Sequence, residues 1–273
     1  MQYTRALPLL GAVAALLAGV AAFAQTLPST VERRPPSWNS GDPNQGPTTI
    51  EGDVPGDGSS VQTNHPQSPV SGIVTLHELA HQPPRRAKRE VKSAWAARNE
   101  GDFQRAIVHF QKAIAIDPAF CAALNDLGTA YLETGQADLA IEQFNKVIAV
   151  DPHVARGYSN LAIAYLRKDQ YSDAERAARR AVDLDRMDTH SQLTLGISLV
   201  LQQKSTAEAV RTLSNAVRDF PCAQFWLAIA LLNRGEIAAG KNQLSAYLAR
   251  GDEAGAKVAA SVMSQVELMA QSK

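Results

Sequence analysis

A 34-residue repeat runs through the second half of this chain and limits its fold more than any other feature. Asp117-Pro118 recurs as Asp151-Pro152. Ala106, Ala140 and Ala174 keep the same spacing, as do Leu127, Leu161 and Leu195, and Tyr131 recurs at Tyr165. Gly128, Ala162 and Gly196 form a column of small residues, and the breaks Gly101-Asp102, Gly135-Gln136 and Asp169-Gln170 keep step. A period of this length marks one supersecondary unit repeated in line. Each half-repeat, about 14 residues long, carries apolar positions at i, i+3, i+4 and i+7, the stripe of an amphipathic helix. Small residues at Gly128 and Ala140 let paired helices approach, with Tyr131 and Phe144 filling the space beside them. Asp-Pro is expected to join repeats, with Asp capping the next helix and Pro in its first turn. One pair cannot bury both of its faces, so pairs must stack.

The rest of the chain differs in kind. Residues 1–24 place Arg5 before an uncharged apolar run at 9–24 that ends in Ala22-Phe23-Ala24. This pattern predicts a signal peptide cleaved after Ala24, export to a bacterial periplasm or beyond, and no stable membrane span afterwards. No Cys follows the run to carry a lipid. Residues 25–70 hold eight prolines and five glycines without hydrophobic period. Disorder is expected there, because too little apolar surface is available to offset chain entropy. Residues 71–84 read as an extended linker ending at Pro83-Pro84, residues 85–250 as the repeats, and 251–273 as a capping helix and tail.

Lys+Arg and Asp+Glu both number 27, a balance that argues against a nucleic-acid binder. Aromatics make up 6% of the chain, so Ala, Leu, Ile and Val must build the core. Cys121 and Cys222 fall three repeats apart in register. Packed helices lie about 8–10 Å apart, too far for a bridge across that distance, so both read as small packed residues.

The pattern Leu124-x2-Leu127-Gly128-x2-Tyr131, Ala140-x3-Phe144, Pro152 resembles the tetratricopeptide repeat at nearly every diagnostic position. The following repeat is similar at Tyr158, Leu161, Ala162, Tyr165, Ala174 and Ala181. It departs at Ala178, where an aromatic is usual, and at Arg186, where proline is usual. The first repeat matches in its second helix (Ala106, Phe110, Ala113, Pro118), while Ser93 and Ala97 are smaller than the pattern. The fourth keeps Leu195-Gly196 and slips by a residue before Pro221; the fifth keeps Leu227, Ala228, Leu231 and Gly235. The resemblance implies an all-α, right-handed superhelical solenoid of antiparallel helix pairs, with repeats at about 87–120, 121–154, 155–188, 189–221 and 222–250 and a C-terminal capping helix.

Enzyme motifs are weighed against this. His77-Glu78-Leu79-Ala80-His81 matches H-E-x-x-H, which on a helix sets two zinc ligands on one face beside a general base. Pro83-Pro84 follows at once, β-branched Val74 and Thr75 precede, and no third ligand is evident, so it reads as a chance match in a linker rather than a zinc hydrolase. No phosphate-binding glycine loop, C-x-x-C or G-x-S-x-G occurs, so no catalysis, metal or cofactor is expected. The basic run Arg85-Arg86-Ala87-Lys88-Arg89, with Lys92, reads as a solvated helix start, or as a contact for an anionic envelope surface or polyanion.

In the tetratricopeptide repeat the first helix of each pair lines a concave groove. Carried over, that implies a protein-binding surface at Lys88, Trp95 and Arg98, then Asn125, Thr129 and Glu133, then Arg156, Ser159, Ile163 and Arg167, then Leu193, Ile197 and Val200. One end is polar and basic, the other apolar, which suits a partner segment with an acidic end and an apolar end. The expected role is a protein–protein interaction scaffold or assembly factor of the bacterial envelope, its partner unidentified, with self-association through a repeat end as a further possibility.

Overall fold

The computed structural model describes residues 81–249 and 253–271. Expectations for the signal peptide, for 25–70 and for 71–80 lie outside the described residues. Within them stand eleven α-helices and no strand. These are α1 (Arg85–Asn99), α2 (Phe103–Ile116), α3 (Cys121–Glu133), α4 (Ala137–Val150), α5 (Ala155–Arg167), α6 (Tyr171–Leu184), α7 (Thr189–Leu201), α8 (Ala207–Ala216), α9 (Pro221–Asn233), α10 (Ile237–Leu248) and α11 (Glu253–Gln271). Consecutive helices pack on each other throughout, giving five pairs with α11 laid on α10. This is the expected solenoid of helix pairs.

The turn inside each pair repeats one backbone device. The chain passes through the left-handed region at Gly101, Gly135, Asp169, Gln203 and Gly235. The next residue's N–H then reaches back to the first helix: Asp102 to Ala97, Gln136 to Tyr131, Gln170 to Tyr165, Lys204 to Leu199 and Glu236 to Leu231. This is the Schellman closure, which satisfies a carbonyl the helix end would otherwise orphan. Four of the five left-handed residues keep the 34-residue spacing. The fifth arrives two residues early, because α8 has only 10 residues where α2, α4 and α6 have 14.

The turn between pairs corrects one expectation. Asp117, Asp151 and Asp185 close the preceding helix instead of capping the next. Each accepts a bond from the backbone N–H two residues on: Ala119 at 3.2 Å, His153 at 2.9 Å and Met187 at 3.0 Å. Pro118 and Pro152 therefore sit inside an aspartate turn, before the helix, where their fixed φ suits the bend. The third turn forms with Arg186 in the proline's place, so the aspartate carries the geometry.

Packing explains the small-residue column. A Cβ added to Gly128 would lie 2.5 Å from Phe144 Cε1, and one added to Gly196 would lie 2.5 Å from Leu213 Cγ. The middle repeat solves the same crossing with Ala162 and Ala178, both fully buried. In the fourth, Leu213 fills the space that Phe144 fills in the second, one residue later than the 34-residue register. That is the slip visible in the sequence. The core continues to the C-terminal end, where Ala259, Val262 and Val266 of α11 join it.

Candidate interaction groove

The first helices of successive pairs touch one another (α3 with α5, α5 with α7, α7 with α9), whereas no pair of second helices makes comparable contact among the described residues. The first-helix row is therefore the inner side. Its residues divide into a polar and an apolar half.

The polar half begins on α1. Trp95 is half-buried, its ring edge-on to Phe110 at 6.5 Å, with the Arg98 guanidinium carbon 5.0 Å from its centroid. Arg98 reaches across to α3 and grips Glu133 with two N–H groups, one of them Nε at 3.0 Å to Oε2. The fork geometry makes this a strong charge-assisted pair, and it holds the guanidinium above its ordinary value. Half-buried Asp126 follows on α3. Burial pushes its carboxyl up to about 7, against the opposing pull of Arg156, Arg98, Asn125 and Trp95. Arg167, ending α5, is shifted down by burial, with Glu133 opposing.

Two further polar rungs tie the row together. Asn160 Nδ2 on α5 donates to Asn125 Oδ1 on α3 at 2.6 Å, and Ser159 Oγ meets His190 Nδ1 on α7 at 3.0 Å. Thr129 is turned onto its own helix, donating to the Asn125 carbonyl at 3.1 Å.

The structure therefore gathers Trp95, Arg98, Asn125, Glu133, Arg156 and Arg167 on adjoining inner helices. Arg156 is exposed and Lys88 half-buried near the start of α1. Thr129 and Ser159 are buried parts of the framework. The apolar members require a correction. Ile163 is 2% and Ile197 0% exposed, and Leu193 and Val200 are buried beside them; all belong to the continuous core and are not open groove surface. Apolar area in contact with a core is withdrawn from water wherever cover exists. Asp126 joins the polar inner residues and did not emerge from the residue pattern as a site member. One signal was present: Asp126 shares a 34-residue column with Asn160, next to the polar column of Asn125 and Ser159.

His81 lies in a non-helical run before α1 and its Nε2 meets Asp117 Oδ2 at 2.8 Å. His77 and Glu78 lie outside the described residues. No group of three or more His, Cys, Asp or Glu is placed to hold a metal among the described residues, and no described helix is long and apolar enough to cross a membrane. Arg85, Arg86, Arg89 and Lys92 are exposed on α1. Cys121 is buried at the start of α3 and Cys222 half-buried at the start of α9.

Comparison with known proteins gives the same reading. Tetratricopeptide-repeat profiles match residues 97–157 and 154–184. No curated protein sequence matches the chain. Among solved structures, a thermophilic tetratricopeptide-repeat protein of Thermus thermophilus is 19% identical, with 65% of this chain and 99% of that one covered at a TM-score of 0.53. YrrB, described as having an unusual peptide-binding site, is 17% identical over 64% and 91% of the two chains, with a TM-score of 0.52. PilF of Pseudomonas aeruginosa is 18% identical over 67% and 89%, with a TM-score of 0.55. At these identities the likeness is one of fold, and with the two profile matches it makes residues 97–184 a tetratricopeptide-repeat segment within a solenoid of that type.

Proposed function

We propose that this protein is a non-enzymatic interaction module that holds a segment of a partner protein on its inner helix row, and that it acts in the bacterial envelope after export. The supporting observation is the convergence of Trp95, Arg98, Asp126, Glu133, Arg156 and Arg167 on one face of α1, α3 and α5. Aromatic and arginine side chains anchor interfaces out of proportion to their number. Arg98 and Glu133 satisfy each other, so Arg156 and the Trp95 face are the groups left to meet a partner. A segment with a carboxylate-bearing end suits them. Tetratricopeptide-repeat folds are in general interaction scaffolds, and a peptide-binding site on a solenoid of like fold is in keeping with this use. Export rests on residues 1–24 alone, with Arg5, the apolar run and Ala22-Phe23-Ala24.

The test is capture from envelope extract by the full chain and by a Trp95→Ala/Arg156→Glu variant of unchanged circular dichroism. A protein held by the first and lost by the second supports the groove. Equal retention by both moves the working surface elsewhere.

A further inference from the structure

α1 opens the stack, and one of its faces has no described helix to lie on. Each later first helix packs against the second helix of the pair before it: α3 on α2, α5 on α4, α7 on α6 and α9 on α8. Among the described helices, α1 packs to a comparable degree on α2 alone. The 34-residue register shows which face is left. Arg89 shares its column with Ala123, Gly157 and Ser191, all small and buried. A Cβ added to Gly157 would lie 3.1 Å from Val147 of α4, so this column is the one pressed on the preceding pair. At the first pair it holds an exposed arginine instead. Ser93 likewise stands exposed where Leu127, Leu161 and Leu195 are buried.

Arg85, Arg89 and Lys92 run along this face at i, i+4 and i+7, a stripe about 10 Å long. Arg86 is exposed beside them, and none of the four makes an ion pair among the described residues. Glu90, the acid within the run, meets His109 of α2 at 2.8 Å. An end face has to be polar, and mixed charges would serve that need. Cations three and four apart repel one another on a helix, and in its first turns they also oppose its dipole. α1 has neither an acid in its first turn nor a side-chain cap to offset this. The single sign therefore calls for an anionic counterpart.

We propose that this stripe seats the protein on an anionic phospholipid surface. A row of cations on the outside of one helix, with no cleft beside it, matches a plane of headgroup phosphates. Ser93, Ala96 and Asn99 continue the face with short side chains, and no aromatic or large apolar group shares it to anchor a peptide. The same charge repels a second copy approaching by this end. Trp95 and Arg98 lie on a different face of α1, so the groove reading and this one stand separately.

Sedimentation with vesicles provides the test. The full chain and its Arg85→Gln/Arg89→Gln/Lys92→Gln variant, of unchanged circular dichroism, are mixed with vesicles of phosphatidylcholine alone or with about 30% phosphatidylglycerol, at about 0.05 M salt. Each cation near such a surface contributes roughly a fivefold factor in affinity. The variant should therefore bind the anionic vesicles at least about tenfold more weakly, and about 0.5 M salt should release the wild type to a similar degree. Equal binding by wild type and variant overturns the proposal. Equal binding to both kinds of vesicle also overturns it and assigns attachment to apolar contact. Wild type that stays on the anionic vesicles against an equal charge of poly-glutamate supports a lipid surface, whereas its displacement overturns that choice in favour of an acidic protein partner.

Discussion

At the residue scale, three positions carry stresses that can be measured. Gly128 accepts Phe144 where no Cβ fits, so Gly128→Ala is expected to cost about 1–3 kcal/mol. Phe144→Leu in the same chain gives back part of that loss. A double-mutant cycle read by urea unfolding should show a coupling on the order of 1 kcal/mol. Gln203 holds a left-handed conformation at φ 58°. Gln203→Gly relieves a steric cost and should raise stability by about 1 kcal/mol, seen as a higher urea midpoint at unchanged slope. Asp126 sets a pH dependence. Its folded value, about 7, lies above the ordinary 3.8, so the folded state holds this proton more tightly than the unfolded chain between those values. Its contribution to stability is therefore present at pH 4 and lost as pH rises through 7. Asp126→Asn should flatten that fall and exceed the wild type in stability at pH 8, with unfolding at pH 5 and pH 8 as the check.

Most of the helix boundaries and the small-residue column were legible in the sequence because both are local. A 34-residue spacing fixes the turns, and Gly128 opposite Phe144 is a consequence of register. The role of Asp117 and Asp151 was misread for a physical reason. An Asp-Pro pair suits either an aspartate turn or a helix cap, and only the backbone path decides between them. The polar rungs were less visible. Asn125–Asn160 and Arg98–Glu133 join different repeats, and a single-repeat reading sees each partner only as a surface residue. At this same scale α11 acts as the end cap. Ala259, Val262 and Val266 close the core beyond α10, and α11 packs on no earlier helix to a comparable degree. Val262→Asp would bury an unpaired charge against that face and should cost more than about 2 kcal/mol. Loss of protection from hydrogen exchange should be concentrated in α9–α11, because a stacked array transmits damage mainly to its neighbours.

For the whole molecule, charge and burial divide one face into two uses. The polar half on α1, α3 and α5 offers arginine, tryptophan and acid groups. The apolar half on α7 and α9 is closed, and the sequence, read as a groove lining, had it open. That difference could not be seen from the residues, since an apolar inner column looks the same whether it waits for a ligand or lies covered. The most direct measurement of the central claim is the affinity of a captured partner for three full-length proteins. These are the wild type, Trp95→Ala/Arg156→Glu on the inner row, and Arg211→Glu/Arg218→Glu on and just beyond the outer helix α8. The account predicts at least a tenfold loss for the inner-row variant and no change for the outer one. An inner-row variant that binds as the wild type does, or an outer variant that alone loses binding, would contradict it.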